Sequence, residues 1–379
     1  MKLGAFLLSI LLGVGSVASA QSDAASVARL AADKLEAASL SLQKAKTSRN
    51  RVKALTQTVQ AYEEGLSALR EGLRRAAIRE KQLDQHLKSQ ESDIAQLLGV
   101  LQSLGGSGSP TLLLHPDGPA GTARAGMILA DVTPALDAQA AKLRVSLQEV
   151  HILRELQQGA ADTLQEGLDG AQSARIALSK AISDRQALPK RFTEDPVQTA
   201  LLIAATETLE GFASGLTEMS PEPEGIAALP DISHRKGKLP LPVQGKILRR
   251  PGEADAAGLR RPGLVLATRP NALVLFPAAA TVRFRGPLLD YGNVIVLEPQ
   301  PGLLFVLAGL ATVFGDVGEV VPSGTPVGLM GGNDPEIGAI LSQSSEGTGQ
   351  DRTETLYIEV RQGKTPINPE DWFLTNKDG

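Results

Sequence analysis

Residues Thr353–Gly363, TETLYIEVRQG, are rich in β-branched and aromatic residues and end on a glycine, which reads as a β-strand running into a turn. Runs of the same texture lie upstream: GLVLAT from Gly263, NALVLF from Asn271, ATVRFRG from Ala280, NVIVLEP from Asn293, LLFVLAG from Leu303 and TPVGLMG from Thr325. Gly, Pro and Asn turns separate them. Many short strands at this spacing predict an antiparallel all-β domain over residues 239–379.

The first half has a different texture. From Val52, apolar positions fall at steps of three and four: Val52, Val59, Leu66, Leu73, Glu80, Leu87, Ile94 and Leu101, with the companion series Leu55, Tyr62, Leu69, Ala76, Leu83, Gln90, Leu97 and Leu104. Ala24, Ala31, Ala38 and Ala45 continue the register upstream. A sustained seven-residue period keeps one stripe facing a partner helix. The run breaks at Gly105–Pro110, GGSGSP. A second series follows Pro134: Leu136, Leu143, Val150, Gln157, Leu164, Ala171 and Leu178, with Ala140, Leu147, Ala161, Leu168 and Ile182 between them. Arg154, Gln157 and Arg175 interrupt it.

Two such stretches joined by a connection predict an antiparallel coiled-coil hairpin over 21–192, with an extended oligomeric rod as the alternative. The expected fold class is therefore α + β multidomain, a long helical hairpin followed by an all-β domain. The tip, 105–133, carries Leu112-Leu113-Leu114 and Met127-Ile128-Leu129 around His115-Pro116-Asp117-Gly118. These clusters form either a small local cap or a docking surface, since exposed apolar patches mark contacts.

Between hairpin and β domain, 193–238 holds a further helix and a linker. Asp195-Pro196-Val197-Gln198 combines a capping residue, a first-position proline and a third-position glutamine. The expected apolar stripe is Val197, Leu201, Ala205, Leu209, Phe212 and Leu216, which must be buried against something. Pro221–Gly225 and the polar stretch to Lys238 read as a linker.

Composition narrows the functional classes. A net charge of -4 over 379 residues argues against a general nucleic-acid binder. Aromatics at 3% are too few for one large globular core. MKLGAFLLSILLGVGSVASA, residues 1–20, has a basic start, an apolar stretch and a small-residue cleavage site, which predicts a secretory signal peptide. The absence of cysteine excludes a disulfide, a thiolate zinc site and a lipoprotein anchor. The expected location is the periplasm.

Within the β domain, PVQGKILRRPGE, TVRFRGPLLDYGNVIVLEP, VVPSGTPVGLMGG and LYIEVRQGKTPINPEDWF follow one another in the order of the LytM (M23) zinc endopeptidases, which 239–373 resembles. That family binds zinc through two His and one Asp, with a further His near the bound water. The resemblance places Arg261 and Val265 at the His-x-x-x-Asp pair, Thr355 and Tyr357 at the His-x-His pair, and Gly309 at the remaining His. No metal, cofactor or catalytic residue is expected, and the histidines His86, His115, His151 and His234 all lie upstream of the domain.

Signal peptide, coiled coil and degenerate LytM domain together resemble the EnvC-like murein hydrolase activators. That resemblance implies a non-catalytic protein whose groove binds the regulatory helix of an N-acetylmuramoyl-L-alanine amidase. It implies control by an FtsE–FtsX-type division complex at the septum, contact with peptidoglycan, and autoinhibition by a helix plugging the groove. The groove would be Arg261, Val265, Tyr291, Tyr357 and Arg361, since aromatics and Arg anchor interfaces. The plainer alternative is that the tyrosines pack the sheet and Arg361 pairs with Glu359. The plug would be Val197, Leu201, Leu209, Phe212 and Leu216, and the docking tip Leu113, Leu114, Met127 and Ile128. The rival readings are a zinc-dependent peptidoglycan endopeptidase and a periplasmic structural or adaptor coiled coil.

Overall fold

A computed structural model describes residues 33–34, 36–38, 40–45, 47–89, 92, 95, 99, 118–185, 188–206, 208–218, 229–335, 339–340 and 352–375. The expected signal peptide (1–20), the break at 105–110, Leu113 and Leu114 lie outside the described residues, as does the side chain of Ile128. Met127 is exposed. The fold class is the one expected: an antiparallel helical hairpin followed in the chain by an all-β domain. The described residues divide into two compact units, those of 69–165 and 337–348 forming one and the rest the other.

Among the described residues, two long helices make the hairpin, α1 (Ser48–Ser89) and α2 (Gly118–Ser183). The second apolar series begins after Pro134, but the helix that carries it begins earlier, at Gly118 within the expected tip segment 105–133, so that Pro134 lies inside α2. Proline removes one backbone donor, whereas the residues on either side, Met127–Ala130 and Ala138–Leu143, are rich in good helix formers. In the 69–165 unit, Leu73, Leu83, Leu153, Ala161 and Leu164 are buried. The polar breaks in the two repeats meet there. Glu80 accepts from Arg154 Nε at 2.7 Å and from Gln157 Nε2 at 2.9 Å. A polar pair inside an apolar seam fixes register.

In the other unit the base of the hairpin packs on β structure. A Cβ added to Gly167 would strike Leu66, and one added to Gly170 would strike Tyr62, so the helices run antiparallel and close together. Val52, Leu55 and Val59 of α1 share a buried cluster with Leu178, Ile182, Leu273 and Phe314. Arg175, which interrupts the heptads, pairs with Glu63 at 3.4 Å and Asp334 at 3.3 Å. Glu63 also accepts from the Leu273 N–H at 2.9 Å. Burial pushes the Glu63 carboxyl above its ordinary value, against the opposing pull of Arg175.

Among the described residues, ten strands form one antiparallel sheet: β1 (Gly245–Arg249), β2 (Leu264–Thr268), β3 (Leu273–Phe276), β4 (Ala280–Pro287), β5 (Asn293–Gln300), β6 (Leu303–Val313), β7 (Val320–Val321), β8 (Thr325–Met330), β9 (Glu354–Gln362) and β10 (Thr365–Ile367). The main path runs β1-β2-β9-β6-β5-β4-β7, with β10 on β9, and β8 linking β6 to β3. Side-chain alternation sorts the central strands into two faces. Leu356, Ile358 and Val360 of β9, Leu303, Phe305 and Leu307 of β6, and Ile295 and Leu297 of β5 enter the main core with Phe276, Trp372 and Phe373. Tyr357 of β9, Leu304, Val306 and Ala308 of β6, and Val294 and Val296 of β5 belong to a second buried cluster.

Two short helices cover that second face, α3 (Pro196–Ala205) and α4 (Leu209–Glu218). The expected single stripe is corrected here. Thr206 is extended, and the Thr208 hydroxyl accepts from the Gly211 N–H, so a second helix starts in a new direction. Leu209, Phe212 and Leu216 are buried, whereas Val197 is 74% and Leu201 68% exposed. The Asp195 cap is as expected, its carboxylate accepting from the Val197 and Gln198 N–H groups.

Candidate functional site

The second sheet face is a shallow apolar seat occupied by α4. Leu209, Phe212, Ala213 and Leu216 cluster with Phe284, Leu288, Val294, Val296, Leu304 and Val306. Phe212 is fully buried and meets Phe284 edge-on, with ring centroids 4.6 Å apart. Leu202 and Ile203 of α3 pack at the margin. A Cβ on Gly215 would lie 2.3 Å from a Leu202 methyl, so the glycine is what lets the two helices touch.

Four of the five expected groove residues lie in one continuous series of contacts, through a fifth member, Glu359. Arg261 stacks over the Tyr291 ring at 5.1 Å, and the Tyr291 and Tyr357 rings lie 5.7 Å apart. The Tyr357 hydroxyl donates to Glu359 Oε2 at 2.6 Å, and Arg361 Nη1 donates to Glu359 Oε1 at 2.6 Å. Val265 sits opposite Tyr357 in the β2–β9 register. Gly263 makes room for Tyr357, since a Cβ there would lie 2.3 Å from its ring.

The expected groove requires one correction. Arg361 is completely buried, donates to Ser214 Oγ of α4 at 3.1 Å and to the Lys364 carbonyl, and so presents no charge to solvent. Arg261 is exposed, Val265 and Tyr291 are half-buried, and Tyr357 is buried. Burial, reinforced by Glu359, pushes the Tyr357 phenol well above its ordinary range, so it acts as a neutral donor.

The sequence reading did not assign a role at the site to Arg283, Ser214 or Phe284. Arg283 is buried, pairs with Glu298 at 3.6 Å and donates to the Leu216 carbonyl at 3.4 Å, at the end of α4. Burial lowers its pKa from the ordinary arginine value. Its position in ATVRFRG follows strand alternation only up to the β-bulge between Val282 and Phe284, which re-aims the side chains.

The positions that the sequence resemblance compares with zinc ligands carry side chains of other kinds. Gly309 has φ +94, and a Cβ there would lie 2.5 Å from the Thr355 carbonyl oxygen, so the backbone leaves no space for a histidine. Thr355 is exposed, and Tyr357 turns to Glu359. Among the described residues no group of three or more His, Asp or Glu side chains converges in a way that could hold a metal ion.

No family model matches the chain. It is 27% identical over 154 residues to the uncharacterized protein NMB1333 of Neisseria meningitidis serogroup B, a match covering 41% of this chain and 23% of that one. Among solved structures it is similar to Helicobacter pylori Csd3, at 23% identity and TM-score 0.28, covering 36% of this chain and 35% of that one. It is also similar to a zinc containing peptidase from Vibrio cholerae, at 20% identity and TM-score 0.27, covering 34% and 38%. The chain thus spans between about a quarter and a third of the length of the curated relatives it matches, and about a third of each of these solved structures.

Proposed function

We propose that this protein is a non-catalytic, EnvC-like activator of a periplasmic N-acetylmuramoyl-L-alanine amidase, with a metal-free LytM-like sheet as its binding surface. The observation that carries the reading is the apolar sheet face seated by a helix of the same chain. A face that already accommodates Leu209, Phe212, Ala213 and Leu216 on one helix can accommodate another amphipathic helix in the same way. Arg261 and Tyr291 at its margin are residue types that anchor interfaces. The side chains at the positions compared with zinc ligands favour binding over hydrolysis.

In this reading α4 is the resting occupant and the amidase regulatory helix its competitor. An FtsE–FtsX-type complex, acting through the coiled coil and its tip around Met127, changes the balance between them. Moving from 1:99 to 99:1 takes about 5.5 kcal/mol of differential interaction, within the reach of one amphipathic helix. The septal periplasm, peptidoglycan contact and docking through Leu113, Leu114 and Ile128 belong to the same proposal.

The test is release of dye-labelled peptidoglycan by a purified amidase, with the full chain or with a variant lacking 193–219. The deletion is expected to stimulate the amidase more than the full chain, and neither is expected to release dye alone. Equal stimulation would remove α4 as the occupant. Zinc-dependent release by the protein alone would favour the endopeptidase reading.

A further inference from the structure

Two buried or half-buried groups near the sheet edge, Glu319 and Phe192, are not used by the seat itself, and a third, Arg283, touches it only at the end of α4. Residues 188–192, between the hairpin and α3, lie along β7, the last strand on the main sheet path. Lys190 bridges Glu319 in antiparallel fashion. The Arg191 N–H donates to the Gly318 carbonyl at 2.8 Å, and the Val320 N–H donates to the Pro189 carbonyl at 2.9 Å. This segment is a strap laid on the sheet.

Glu319 fastens the strap. Its carboxylate is 3% exposed and accepts from the Leu188 N–H at 3.1 Å, Arg185 Nη2 at 3.0 Å and the Asp316 N–H at 3.0 Å. One buried carboxylate therefore joins the chain leaving α2, the strap and the β6–β7 turn. Gly318 is required beside it, since a Cβ at its φ of +85 would lie 2.0 Å from the Phe192 carbonyl oxygen.

The strap ends on Phe192, whose ring lies 4.5 Å from the Arg283 guanidinium. That same guanidinium reaches the Leu216 carbonyl in the last turn of α4, where the negative end of the helix dipole favours a cation. Arg283 thus stands between strap and plug, fixed by Phe192 and Glu298.

We infer that the strap and α4 are coupled through Arg283, so that lifting residues 188–192 from β7 loosens the C-terminal turn of α4 and opens the seat. Arg283 is a positioning residue in this arrangement. With Phe192 in place, its guanidinium is held against the Leu216 carbonyl. Without the ring it is free to hydrate and turn away. The strap lies directly after α2, so a displacement of the end of that helix reaches the seat through one residue. This inference rests on α4 being the displaceable occupant of the seat.

The test is backbone amide exchange of α4 in the full-length protein, with no amidase present. Phe192→Leu and Glu319→Gln are each expected to speed exchange of the α4 amides roughly tenfold, while β5 and β6 keep wild-type protection. Arg283→Met should act at least as strongly, and the Phe192→Leu/Arg283→Met pair no more strongly than Arg283→Met alone. Unchanged α4 exchange in Phe192→Leu, or additive effects in the pair, would overturn the coupling. If Glu319→Gln lowers β5 and β6 protection, the Phe192 and Arg283 variants decide the matter. Failure of amidase activation would leave this result standing, and flat exchange rates would leave the amidase reading standing.

Discussion

Phe212→Ala is expected to empty the seat while leaving the sheet folded. Phe212 is fully buried, contributes the edge-on contact with Phe284 and sits at the middle of the α4 face. Truncating a buried Phe costs about 3–5 kcal/mol through lost transfer energy and the cavity left behind. That approaches the whole difference needed to invert a closed equilibrium. The cost falls on α4 because a ten-residue helix has little stability of its own. The main core with Trp372, Phe373 and Phe276 lies on the other sheet face and keeps its packing. Amide exchange should show α4 losing protection with β6 and β9 unchanged, and amidase stimulation should rise. A global loss of protection would show that α4 is an integral part of the domain rather than a removable cover.

The second large effect concerns Arg361. Read as a surface anchor, Arg361→Glu would weaken partner binding and leave the fold intact. The structure gives a different expectation. The substitution places a second carboxylate beside Glu359, where neither position reaches water. Breaking a buried pair costs about 3–5 kcal/mol, since the remaining charge is left uncompensated. The expected result is a large fall in the urea midpoint, with loss of binding following from unfolding. Glu359→Gln/Arg361→Met keeps an acceptor for the Tyr357 hydroxyl and removes both charges, so it should recover most of the loss. A wild-type midpoint for Arg361→Glu would mean that this side chain faces solvent.

Much of this architecture was legible in the residues. The seven-residue period from Val52 gave α1, and strand alternation separates Leu356, Ile358 and Val360 from Tyr357, Glu359 and Arg361 on opposite faces. The same alternation places Glu359 between Tyr357 and Arg361, so their shared carboxylate could be read from TETLYIEVRQG alone. What the sequence concealed was the coverage of that face. Period arithmetic carried the stripe from Val197 to Leu216 as if the helix were continuous, whereas Thr206 and Thr208 redirect the chain and leave Val197 and Leu201 outside. Burial of Arg361 depends on Ser214, 147 positions away, and no local pattern encodes so distant a contact.

Arg175 teaches the same lesson. In the heptad it reads as an interruption, yet its partners Glu63 and Asp334 lie on different elements, and the buried network they form fastens the hairpin base to β structure. The polar breaks at Glu80 and Gln157 were visible singly, but their meeting requires the register of the folded hairpin. Sequence periodicity reports which faces are buried. It does not report which polar residues find one another.

The central claim, that α4 holds a place the amidase helix takes, is tested most directly by amide exchange of the full-length protein with and without saturating amidase. The account predicts that Leu209–Glu218 loses protection on binding while β5, β6 and β9 retain theirs. Amidase bound with α4 still fully protected would contradict it.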